Sequence, residues 1–141
     1  MTTTRKILCG IYAAIAAIAL VGTWTQNAAY LGNSAGFLKN FLLDLKTTPA
    51  SRSITVDIVL FFLAAAIFMV IEARKHDVPF VWAYIVGGML IAISVTFPLF
   101  LIARERKLAA TDAPGLKTLD VILLVALAAV SASWVIFTVS S

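Results

Sequence analysis

The chain has 141 residues, of which 62% are apolar and only 13% charged, with a net charge of +4 and a mean hydropathy of +1.01. A soluble domain of this length could not hide so much apolar surface, so the composition excludes a water-soluble fold and points to one integral membrane domain. The basic residues sit at the ends of apolar runs instead of forming a stripe with interleaved aromatics, which excludes a nucleic-acid interface and leaves membrane lipids, anionic headgroups included, as natural counter-ions.

The spacing of apolar runs predicts an all-α protein, a four-span transmembrane helical bundle over residues 1–141 with spans at about 7–24, 54–73, 78–103 and 119–139. Arg5-Lys6 opens the first run, which ends on Trp24, a natural interface anchor. A cationic start followed by apolar residues and Ala17-Ile18-Ala19 also fits a cleavable signal, but the run continues past Ala19. Gly10 with Ala14 and Ala13 with Ala17 place small residues at helix-packing spacing. Cys9 is the single cysteine, so no intrachain disulfide can form and no thiolate metal site is expected.

Gly32-Asn33-Ser34 reads as a loop and Thr48-Pro49 as a helix stop. Between them Phe37, Leu38, Phe41, Leu42 and Leu45 recur at helical spacing, which predicts a short amphipathic helix at about 35–46 lying in the membrane interface. The second span has Ser51 or Ser53 as cap and Asp57 in its first turns, where the helix dipole favours an anion. Glu72 stands at the other end, where the dipole disfavours it, and Arg74 and Lys75 are the expected compensation.

The third span is expected to be one long helix, kinked at Pro98, with Trp82 and Tyr84 at one interface and Gly87-Gly88 as a close-packing face. Asp112-Ala113-Pro114-Gly115 is a turn, after which Thr118 caps a fourth span with Asp120 in its first turn and Ala128, Ala129, Ala132 and Ser133 as small residues.

Four crossings put both ends of the chain on one side and collect polar residues in two layers. One holds Glu72, Arg74, His76 and Trp82 with Arg5-Lys6; the other holds Trp24, Asn27, Arg52, Asp57, Arg104, Glu105 and Asp120. The sharpest site expectation is a headgroup cavity in the second layer around Asp57, Arg52 and Glu105. Basic residues then number Arg5, Lys6, Arg74 and Lys75 on the terminal side against Lys39, Lys46, Arg52, Arg104, Arg106, Lys107 and Lys117, so the positive-inside rule prefers both termini outside, while Arg5-Lys6 argues the reverse.

No cofactor motif is present, and one histidine, His76, cannot build a metal cluster. Asp57 and Glu72 lie fifteen residues apart, ~22 Å along one helix, too far to act on one bond. Small multidrug transporters depend on a carboxylate within their first helix; here the first span has none. The chemistry therefore favours a non-enzymatic accessory or lipid-binding bundle, able to pack against a second copy or a partner membrane protein. A membrane-embedded enzyme for a lipid-soluble substrate is the alternative, and a transporter ranks below it.

Trp24-Thr25-Gln26-Asn27, Pro49-Ala50-Ser51-Arg52-Ser53 with Asp57, Glu72-Ala73-Arg74, Trp82-Ala83-Tyr84 and Phe97-Pro98-Leu99-Phe100-Leu101 with Arg104-Glu105-Arg106 resemble a bacterial family of small integral membrane proteins that is filed as a domain of unknown function. The resemblance covers roughly residues 7–108. It implies a three-span core in a bacterial cytoplasmic membrane and carries no activity; the fourth span falls outside it.

Overall fold

The computed structural model describes residues 1–33, 35–109 and 117–140. Among them every regular element is helical: α1 (Thr3–Asn27), a 3-10 turn (Ala28–Asn33), α2 (Phe37–Asp44), α3 (Pro49–His76), α4 (Val81–Gly87), a π turn (Gly88–Ala92), α5 (Ile93–Lys107) and α6 (Thr118–Val139). Four helical stretches are long and apolar enough to cross a membrane: Thr3–Gly32, Pro49–His76, Val81–Lys107 and Thr118–Val139. The expected loop residue Ser34 and the Asp112–Gly115 turn lie outside the described residues.

Local chemistry sets several helix starts. Thr48 and Ser51 form a reciprocal cap, with Thr48 Oγ1 accepting from Ser51 N at 3.0 Å and Ser51 Oγ accepting from Thr48 N at 3.1 Å. Pro49 occupies the first helical position, where its missing N–H costs nothing. Thr48-Pro49 is thus a helix start, not the expected stop, and α3 begins five residues before the predicted span. At α6 the N-cap is Lys117 rather than Thr118, and Asp120 accepts from the Lys117 backbone N–H at 2.9 Å, as its first-turn position predicts.

The third apolar stretch is not one kinked helix. Ala92 is extended (φ −178°, ψ 141°), and the chain reverses there. The Tyr84 and Phe100 rings lie 5.8 Å apart, whereas a straight helix would separate these residues by ~24 Å. A Cβ on Gly88 would stand 2.9 Å from Thr96 Oγ1 and 3.0 Å from Phe62 Cε2, and one on Gly87 3.2 Å from Thr96 Cγ2. The two glycines let the arms close, so the expected close-packing face exists within the hairpin. Pro98 is carried inside the α5 arm, away from the reversal.

This hairpin packs on α3 to form the core, in which Ala65, Met69 and Ala73 meet Val78, Val81, Ile85, Ile93 and Phe100. Phe97 adds edge contacts to Phe61 at 6.4 Å and Phe68 at 6.1 Å. α1 packs along α5 over the most extensive helix interface. No residue of α6 is buried; it approaches α1 where Val135 Cγ1 lies 3.9 Å from the Cβ position of Gly22.

The reversal changes the topology expected for a four-crossing bundle. Arg104 and Glu105 return to the end of the bundle that holds Arg5 and Glu72, and the C-terminal part of α6 lies beside Gly22 of α1. At the Trp24 end, α2 forms within the predicted 35–46 but spans only Phe37–Asp44. Tyr30 meets Phe37 and Phe41 edge-on at 6.2 and 5.7 Å and donates to Asp44 Oδ2 at 2.7 Å, which ties α2 to the 3-10 turn.

Candidate functional site

Glu72 lies in the last turns of α3, facing the hairpin, and is 8% exposed. A carboxylate so placed opposes the helix dipole and has lost water, so it needs a cation held by tertiary structure. Arg104 supplies it from the last turns of α5, its Nε donating to Glu72 Oε2 at 2.5 Å. The same guanidinium donates through Nη1 to Glu105 Oε1 at 3.2 Å. Glu105, 5% exposed, faces Arg5 of α1 with Oε2 at 3.6 Å from Arg5 Nε.

Arg5 is 1% exposed, the most buried charge described. Its Nη1 donates to the Leu108 carbonyl at 2.8 Å and its Nη2 to the Ala109 carbonyl. These carbonyls follow α5, where backbone acceptors lack intrahelical partners and the dipole favours a cation. His76, one turn after Glu72, closes the row with Nε2 at 3.5 Å from Glu72 Oε2. Charges alternate along Arg5, Glu105, Arg104 and Glu72, and their formal sum is zero. Burial is tolerable because each ion has an opposite neighbour.

This arrangement regroups the expected residues. Arg104 and Glu105 belong with Glu72, not with Trp24, Asn27, Arg52 and Asp57, so no cavity surrounds Asp57, Arg52 and Glu105 together. Arg74 is exposed and does not compensate Glu72; Arg104 does. His76 is half-buried against Glu72 instead of solvated. Trp82, 60% exposed, sits at the start of α4 near the cluster. At the opposite end Trp24 and Asn27 are half-buried, and the Trp24 Nε1 is buried without a hydrogen-bond partner. Arg52 donates to the Lys46 carbonyl at 2.8 Å. Asp57 is exposed and has no hydrogen-bond or ion-pair partner among the described residues.

The sequence sets Arg5 in the layer of Glu72, as the structure does, but does not show its pairing with Glu105. The signal was the Arg104-Glu105 pair: a buried alternating pair at one helix end calls for further charges on either side.

The cluster's chemistry is confined to itself. Both carboxylates face guanidinium groups. The described surface has one shallow hollow of about 450 Å³ among Ala29, Tyr30, Gly32, Asn40, Leu43 and Asp44, and another on α6 between Ala129 and Trp134. No group of three or more His, Cys, Asp or Glu is placed to hold a metal among the described residues.

An all-helical chain with four stretches of this length and apolarity is a membrane protein. It belongs to the DUF2834 family, a family of proteins of unknown function, whose model matches residues 11–106. That range holds Glu72, Arg104, Glu105 and all of the hairpin but Lys107, and neither Arg5 nor α6. No curated protein and no solved structure matches the chain.

Proposed function

We propose that the protein is a non-enzymatic accessory bundle of a bacterial cytoplasmic membrane, built around a helical hairpin that enters the bilayer and leaves it on the same face. The observation that supports this reading is the Arg5–Glu105–Arg104–Glu72 row, whose carboxylates are spent on internal ion pairs. The row then works as a clamp, joining the start of α1, the end of α3 and the end of α5.

The same geometry supports one orientation. Arg5, Lys6, Arg74, Lys75, Arg104, Arg106, Lys107 and Lys117 share the clamp end, and Lys39, Lys46 and Arg52 share the other, out of eleven basic residues. The positive-inside rule assigns the clamp end to the cytoplasm. Lys6, Arg74, Lys75, Arg106 and Lys107 are exposed there and suit anionic headgroups. α2, with Leu38 and Leu42 exposed beside Lys39 and Asn40, then lies in the outer interface.

Glu72→Gln tests the clamp. Removing this charge leaves Arg104 under-compensated in a mostly buried site, a loss of ~3 kcal/mol, read as a clear fall in the midpoint of thermal unfolding in mild detergent. An unchanged midpoint would sink the proposed role.

A further inference from the structure

α3 carries a second face that the fold leaves uncovered. Val56, Leu60, Leu63 and Ile67 follow a four-three-four spacing, and each is more than half exposed. At 100° per residue they form one stripe, opposite the face on which Ala65, Met69 and Glu72 are buried. Arg52 and Asp57 flank this stripe, one on each side, five residues apart.

That separation is informative. When two parallel helices pack through a heptad-like stripe, a residue flanking it on one helix meets the residue five positions later on its neighbour. Two copies of one membrane protein insert with the same orientation, so a two-fold axis along the bilayer normal makes their α3 helices parallel. We infer that α3 is a homodimer interface, in which Val56, Leu60, Leu63 and Ile67 meet their counterparts and Arg52 of each copy pairs with Asp57 of the second copy.

Charge complementarity selects this occupant. Asp57 has no hydrogen-bond or ion-pair partner among the described residues, sits among Ile54, Val56 and Ile58, and lies ~7 Å deeper along α3 than Arg52. An unpaired carboxylate at that depth is costly. Anionic lipid would repel it, and neutral acyl chains offer it nothing, whereas a second copy brings a guanidinium to each Asp57 by symmetry. The inference is independent of whether the bundle is an accessory protein or an enzyme.

The test uses the full chain in a Cys9→Ser background. Oxidation in native membranes should cross-link Leu60→Cys into a dimer and leave Leu127→Cys on α6 largely monomeric. Native mass spectrometry in mild detergent should give a dimer that Arg52→Asp or Asp57→Arg weakens about tenfold or more, ~1.4 kcal/mol at the least, and that the double exchange restores. Equal cross-linking at Leu60→Cys and Leu127→Cys, a dimer indifferent to both charge reversals, or a monomer retaining lipid on α3 would each overturn it.

Discussion

Gly88 and Thr96 show how little room the hairpin leaves. The Cβ of an alanine at position 88 would meet Thr96 Oγ1 at 2.9 Å, Phe62 Cε2 at 3.0 Å and Ile93 Cδ1 at 3.2 Å. Three separate side chains would have to move, and two of them belong to the hairpin's own second arm and one to α3. Gly88→Ala should therefore destabilise the protein by ~1–3 kcal/mol, seen as a lower unfolding midpoint in detergent. Thr96 makes the complementary point. Its hydroxyl is buried and has no hydrogen-bond partner among the described residues, so Thr96→Val removes a desolvated polar group at nearly constant shape. That substitution should be neutral or raise the midpoint. A Gly88→Ala variant as stable as the parent would mean that the arms do not close at this residue.

At the scale of elements, the reversal at Ala92 was the part of the fold least legible in the sequence. Residues 78–103 match a spanning helix in length and apolarity, and a helix and a helical hairpin share the same local periodicity. Pro98 drew attention as the expected break, yet it is accommodated inside α5, while Gly87-Gly88, read as a packing face for another helix, serves the chain's own return arm. The helices themselves, the Asp120 cap and the amphipathic α2 were legible because they depend on local spacing and capping chemistry. The pairing of Glu72 with Arg104 was not, because it depends on where the hairpin returns. A direct check is Tyr84→Cys with Phe100→Cys in a Cys9→Ser background, treated in membranes with a short bifunctional thiol reagent. An intrachain cross-link is expected, since the rings they replace are 5.8 Å apart. A continuous helix would hold the two sulfurs ~24 Å apart and give none.

For the whole molecule, the reversal resolves a conflict that sequence alone left standing. With four crossings, the total count of basic residues and the Arg5-Lys6 pair pointed to opposite orientations. Both rest on the same electrostatic preference, so agreement between them supports the proposed hairpin. Moving Arg104, Arg106, Lys107 and Lys117 to the Arg5 end makes the two indicators agree and leaves only Lys39, Lys46 and Arg52 at the Trp24 end. The clamp then explains why the first helix matters to the rest: Arg5 enters the bundle where α5 ends and neutralises Glu105 as it does so. Single cysteines replacing Lys46, Lys75 and Lys107 in a Cys9→Ser background follow the proposed orientation directly. In intact cells a membrane-impermeant maleimide should modify Lys46→Cys and spare Lys75→Cys and Lys107→Cys until the membrane is opened. Four crossings predict a different pattern, with Lys46 and Lys107 on one face and Lys75 on the other, so labelling of Lys107→Cys together with Lys46→Cys would refute the hairpin and the orientation at once.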